Sequence, residues 1–286
     1  MMITAAPVQR KTLRRIATFK GNGIHTNAEC TLHLLPTIAG TGIQAKRTGK
    51  PGLVPINIDY ASAEKSVRRT VVVGPAPESL VFEQLEHVMA ALAAADVTDV
   101  IIELDATEPP FMGGGSLEFL QGILAVGTEG LEGMVQPLVV NCPLAFDYGE
   151  AHFAATPHDG FRLSCFIEFP GTIVGSTGVS FEIDSDSFYK NVAVARTFAK
   201  KADLEKIWAA GLGKGGTLEN TVVFNEDSYL NERLYFEDEV ARHKIIDFLG
   251  DLALIGRPLR GHFWAWRAGH QSHVAFAQKL VRKYGT

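Results

Sequence analysis

Residues 236–252 read FEDEVARHKIIDFLGDL, and a helical period accounts for where the apolar residues fall. Val240, Ile245, Ile246, Phe248, Leu249 and Leu252 predict one amphipathic helix over Phe236–Leu252. His243, Asp247 and Asp251 recur at i, i+4 and i+8, so they share a face. A His and a carboxylate one turn apart can reach a single metal ion. Lys244 sits one position round the helix from the His. Taken alone, such a pair is more often a core-facing His beside a solvated carboxylate. A metal site needs a further ligand from elsewhere in the chain.

A second stretch, Val81–Ala95 (VFEQLEHVMAALAAA), is rich in Ala and Leu and predicts another helix. In it Glu86 directly precedes His87. Catalytic zinc commonly takes three protein ligands and keeps one position for water. His87, His243 and Asp247 would make such a set, and Glu86 could take the water's proton. The two helices are remote in the chain, so no local motif joins them.

With 286 residues the chain is long enough for two domains. Its 46% hydrophobic and 21% charged content is that of a globular protein. No apolar run reaches the roughly 18 residues of a membrane span. MMITAAPVQRKTLRR lacks the apolar centre of a secretory signal. A formal charge of −5 argues against a broad nucleic-acid surface. Cys30, Cys142 and Cys165 are widely spaced and predict buried thiols in a reducing cytoplasm.

In chain order, RRIATF and CTLHLLP predict two strands around the Gly-bounded loop GIHT, whose His25 could contact a ligand. GIQAKR, PINIDY and RRTVVVG predict further strands, and PAPES a turn into the Glu86–His87 helix. Val97–Leu104 is a buried strand. EPPFMGGGSLEFL gives a three-glycine turn and a short helix; the turn is either a tight connection or a close approach to a ligand. Residues 124–136 look like a linker. Strands follow around Leu138–Val140, His152–Thr156, Phe161–Phe169 and Val179–Ile183. A helix at Leu204–Ala210, a TVVF strand and a GHFWAWRAGH strand come later, the last ending in a turn with His270 before a helix over Gln271–Tyr284. His152, His158, His262 and His273 read as strand or surface residues. The expected fold is α+β: two similar domains, 1–130 and 131–286, each a β-sheet with helices packed on it, with the helices of the two facing each other across the site.

The pieces TLRRIATFKGNGIHT, LEHVMAALAAADVTDVIIELDATEPPFM, ARTF, GLGKGGTLENTVV, FEDEVARHKIIDFLGDL and RAGH together resemble the UDP-3-O-acyl-N-acetylglucosamine deacetylase family, zinc amidases of lipid A synthesis in Gram-negative bacteria. The resemblance covers nearly the whole chain. It implies His87, His243 and Asp247 as zinc ligands and Glu86 as the general base. It implies Lys244 and Thr197 as stabilisers of the carbonyl oxygen, and His270 as the acid opposite Glu86, tuned by a hydrogen bond to Asp251. Arg196 and Phe198 would fix the surroundings of Thr197, and His25 would lie near the substrate. Residues 199–216 match an inserted segment forming an apolar passage for the acyl chain, with Leu204, Ile207, Trp208 and Leu212 as lining. The implied partner is an acylated UDP-amino sugar, with no nucleic acid, no membrane span and only peripheral membrane contact, in a monomer.

Two stretches depart from the family pattern. Gln84 stands where the family usually has Thr, and Gly113, Gly114 and Gly115 stand where it has an Asp-Gly-Ser turn. The missing Asp removes a support of a kind that can matter about 10–100-fold at a metal site. Two alternatives follow: a divergent zinc amidase acting on another N-acetylated sugar or nucleotide, and a metal-binding paralogue without catalysis. Retention of Glu86 argues against the second, since a binder needs no base beside its metal.

Overall fold

The computed structural model describes residues 5–76 and 79–285. The first four residues of the N-terminal stretch, and two of the turn expected at Pro75–Ser79, lie outside these. Six α-helices are present among the described residues: α1 (Glu86–Ala94), α2 (Leu117–Val126), α3 (Ser185–Asn191), α4 (Leu204–Ala209), α5 (Glu239–Ala253) and α6 (His270–Tyr284).

Two larger sheets carry them, and both have the same connectivity. In the first, Val100–Leu104 lies at the centre, antiparallel to Glu29–Leu35 and parallel to Ile43–Arg47. Ala17–Asn22 and Val54–Pro55 form its edges, each antiparallel to its neighbour. In the second, Leu259–Trp266 is central, antiparallel to Ala151–Thr156 and parallel to Phe161–Phe169. Leu144–Tyr148 and Gly175–Glu182 form the corresponding edges. Each central strand follows a long helix in sequence, α1 in one half and α5 in the other. The sheets are thus α+β units of related build, with no repeat visible in residue identity.

Alternation explains the central strand of the second sheet. Leu259, Gly261, Phe263 and Ala265 point inward and are buried, whereas Trp264 and Trp266 lie on the outer face. Phe153, Phe248 and Phe276 fill the space between this sheet and α5 and α6, with Phe153 stacked on Phe276 at 4.6 Å. In the first half Phe82, Leu85, Val88 and Leu92 are fully buried against Leu32, Leu34 and Ile102.

Several expectations need correcting. Val81–Glu83 is a strand paired with Val71–Val73, and the helix starts at Glu86. Gln84, at φ 59°, breaks the backbone between them. The helix expected from Phe236 starts at Glu239, and most of PINIDY is turn. The expected linker is absent: residues 124–126 complete α2, and Thr128–Val135 is a strand pairing antiparallel with Val8–Leu13. That strand spans the boundary expected at residue 130. Cys30 and Cys165 are buried as expected, but Cys142 is exposed, on the bend between two short strands.

Candidate active site

Helices α1 and α5 come from different halves and pack directly together. The backbones approach closely at Gly250, where an added Cβ would stand 2.0 Å from the Glu86 carbonyl oxygen. Only a residue without a side chain lets the two backbones meet there. This approach brings the Glu86–His87 pair against the His243–Asp247 face.

His87, His243 and Asp247 are all buried, and each offers a ligand atom within 4.8 Å of the others. His243 Nε2 lies 3.2 Å and His87 Nε2 3.8 Å from Asp247 Oδ1. His243 Nδ1 donates to the Ala195 carbonyl at 3.0 Å, which leaves the Nε2 lone pair facing the cluster. Two imidazoles and a carboxylate, buried and converging, fit a divalent metal such as zinc. A second group, Asp251, His270 and His273, also lies close enough for a metal. Its imidazoles, however, already donate Nδ1–H to Asp251 Oδ2, each at 2.8 Å.

Glu86 is 1% exposed. Its Oε2 accepts the Thr70 backbone N–H at 3.2 Å, whereas Oε1 has no hydrogen-bond partner and faces His270 Nε2 at 3.6 Å. Burial raises the Glu86 carboxyl above its ordinary value, against the lowering effect of His270 and His87. For His270 burial acts downward, but Asp251, Glu86 and Asp247 overcome it and push the imidazole up to about 9. Burial likewise disfavours the charge on Asp247, yet Lys244, His243 and His270 hold it well below the usual carboxylate range. Lys244 Nζ donates to Asp247 Oδ2 at 2.8 Å, opposite the oxygen that faces the imidazoles.

The triple glycine is a junction between the halves. A Cβ on Gly114 would meet the Asn220 carbonyl oxygen at 1.8 Å, and one on Gly115 the Ala193 oxygen at 2.4 Å. The Thr197 N–H donates to Gly114 O at 2.9 Å, and the Ser116 hydroxyl donates to the His87 carbonyl at 2.8 Å. The turn therefore ties α1 to the segment that holds His243 and begins the Thr197–Lys200 strand. The close connection, not approach to a ligand, accounts for these glycines.

Gln84 binds His25: the imidazole Nε2–H donates to Gln84 Oε1 at 3.0 Å, and burial lowers the His25 basicity. The Glu108 carboxylate accepts the His25 and Thr26 N–H groups at 3.1 and 2.8 Å, fixing the loop. A cavity of about 470 Å³ reaches His87, His243, Asp247, Lys244, Thr197 and His270. A second, of about 400 Å³, is lined by Leu204, Ile207, Trp208 and Leu212 together with His25. Arg68, Thr197 and Phe198 line both, so the two are neighbours across these residues. All sequence-predicted site residues thus fall on one of two adjoining cavities, or, for Glu86 and Asp251, directly behind the first.

Sequence reasoning missed Thr70, Ser116 and Glu239, and it misplaced two histidines. His270 is the first residue of α6, not part of a turn. His273, expected in a strand or at the surface, is fully buried one turn further along the same helix face. The spacing of these two residues was the available signal.

A buried His₂–carboxylate set, a free carboxylate beside it and two flanking cations are what a metal-dependent hydrolase requires. A family model described as UDP-3-O-acyl N-acetylglycosamine deacetylase matches residues 10–282. The chain belongs to this family, which is one of metalloenzymes. Proteins named UDP-3-O-acyl-N-acetylglucosamine deacetylase resemble it closely: that of Myxococcus xanthus is 37% identical over 279 residues, covering 96% of this chain and 85% of the relative. That of Bdellovibrio bacteriovorus is 35% identical (96% and 89%), and that of Synechocystis 34% (96% and 99%). Among the described residues, no helix is long and apolar enough to cross a membrane.

Proposed function

We propose that the chain is a zinc-dependent deacetylase that hydrolyses the acetamide of UDP-3-O-acyl-N-acetylglucosamine to the free amine and acetate, a step of lipid A biosynthesis. The observation that carries the reading is the convergence of His87, His243 and Asp247 beside the unpaired Oε1 of Glu86. Held by those three residues, zinc supplies a Lewis acid for the carbonyl and lowers the pKa of water toward about 7.

The residues divide the remaining work. Glu86 Oε1 takes the proton of the attacking water. As the carbonyl carbon becomes tetrahedral, its oxygen gains negative charge, which the Lys244 ammonium and the Thr197 hydroxyl stabilise. His270, whose protonated form Asp251, Glu86 and Asp247 favour, gives a proton to the departing amine, and Asp251 holds its Nδ1–H so that Nε2 faces the site. His25 and Phe198 border the sugar end, and the cavity along Leu204, Ile207, Trp208 and Leu212 takes the acyl chain. The triple glycine's role as a junction removes one motive for a shifted substrate.

The division into domains of 1–130 and 131–286 belongs to the same reading, supported by the shared sheet connectivity, with Thr128–Val135 spanning the boundary. A cytoplasmic location agrees with three unpaired cysteines.

The test is metal content together with acetate release from the acylated UDP-sugar, for wild type and His243→Ala. About one zinc per chain, with metal and turnover both lost in the variant, is the expected outcome. Zinc-loaded wild type that releases no acetate from this substrate would overturn the substrate assignment. Equal turnover in His243→Ala would overturn the ligand set.

A further inference from the structure

Thr70 stands immediately before the Val71–Val73 strand and is 2% exposed. Three of its polar groups are engaged at the centre of the site. Its backbone N–H donates to Glu86 Oε2 at 3.2 Å. Its hydroxyl donates to Asp251 Oδ1. Its carbonyl accepts the Gln84 N–H at 3.0 Å, tying it to the turn that opens α1. Glu86 lies on α1 and Asp251 on α5, so one residue touches a carboxylate from each half.

The two donors act on different carboxylates with related results. With Oε2 of Glu86 held by the backbone, Oε1 is the oxygen left to face the site. With Oδ1 of Asp251 held by the hydroxyl, Oδ2 is left for His270 and His273, each at 2.8 Å. Asp251 is fully buried, so an oxygen without a partner there is costly, and the carboxylate would turn to find one. Turning it would move the acceptor of His270 Nδ1–H and redirect Nε2, which now lies 3.6 Å from Glu86 Oε1.

We propose that Thr70 is a positioning residue for both members of the acid–base pair, aiming Glu86 through its backbone N–H and His270 through its hydroxyl and Asp251. This rests on the assignment of Glu86 and His270 as base and acid. Thr70 itself touches neither metal ligands nor reacting atoms; it sets where the reacting groups point.

The test is steady-state acetate release from the acylated UDP-sugar by zinc-loaded wild type, Thr70→Val, Thr70→Ser and Glu86→Gln. Val keeps the shape and the backbone N–H and removes only the hydroxyl; Ser keeps the hydroxyl. Thr70→Val should keep its zinc and its KM while kcat falls about 10–100-fold, and Thr70→Ser should recover most of the loss. A Thr70→Val kcat within about twofold of wild type overturns the inference. So does an equal fall in Thr70→Ser, or a fall that tracks lost zinc. If instead Glu86→Gln turns over like wild type, the underlying acid–base assignment fails, an outcome distinguishable from failure at Thr70 alone.

Discussion

The strongest test of how the site is held is the ion pair Arg196–Glu239, whose side chains are 7% and 0% exposed. Glu239 Oε1 accepts from Arg196 N at 3.0 Å and Nε at 2.8 Å, and Oε2 from Arg196 Nη2 at 3.1 Å and Tyr235 N at 2.8 Å. The guanidinium also donates to Leu218 O at 3.1 Å and Arg233 O at 3.0 Å. Glu239→Ala leaves a buried cation and orphaned backbone donors, and breaking a buried pair in this way costs about 3–5 kcal/mol. Against a typical total of about 5–15 kcal/mol, the loss is large enough to read from urea unfolding at constant m. Glu239→Ala with Arg196→Met should cost clearly less than the sum of the two single changes, because no unpaired charge remains buried. The damage should also reach the metal. Ala195, whose carbonyl orients His243, and Thr197 flank Arg196 in the chain, so zinc affinity should fall about 10–100-fold. A single-variant loss below about 1 kcal/mol, or strict additivity in the double variant, would refute the reasoning.

Gly250→Ala forces a Cβ against the Glu86 carbonyl, so α1 and α5 must separate; stability should drop by about 1–3 kcal/mol and zinc affinity with it, and wild-type values for both would dismiss the close approach. Activity should fall at acid pH as Glu86 gains a proton, above the ordinary carboxylate range because burial raises it, and at alkaline pH as His270 loses one near 9. A bound cation draws both limbs downward. Asp251→Asn removes a negative charge that favours protonated His270, so the alkaline limb must move to lower pH; a kcat/KM profile with that limb unmoved contradicts the assignment. Ile207→Ala opens the apolar wall and should raise KM about tenfold for a long-chain substrate, with no change for an unacylated one; equal KM shifts for both would exclude the passage.

What the sequence made legible follows from where its physical signals are local. His243 and Asp247 are one helical turn apart, so their shared face was readable before any fold was known. The Leu259–Trp266 strand announces itself by alternation. Thr128–Val135 does not: it pairs with a single strand and is mostly exposed, so it has no apolar period and looks like a linker. The tolerance of Gly114 and Gly115 for carbonyls from the other half has no sequence signature either. Thr70 is a lone Thr after two arginines, and only the fold sets it between two carboxylates. His273 could have been found, since it lies three residues from His270. Beginning the last helix at Gln271 separated the two and hid their common partner.

Between α1 and α5 lie three buried carboxylates, and their surroundings sort them by task. Asp247 faces the Lys244 ammonium, and Asp251 has the Thr70 hydroxyl and two imidazoles. Burial disfavours the charge of each, yet both are held below the usual carboxylate range, as the proposed roles of metal ligand and fixed acceptor require. Glu86 keeps a buried oxygen without a donor, and it alone of the three is raised overall, by burial. Giving that oxygen a partner would stabilise the carboxylate and weaken it as a base by the same interaction. A base in a buried site has to be the carboxylate least satisfied by the protein, and pushing its affinity for protons away from that of its neighbours separates the catalytic base from the ligand. The unsatisfied oxygen costs stability at the point where α1 and α5 meet. The glycine-mediated approach of the helices and the Arg196–Glu239 pair behind His243 hold that point together in spite of it.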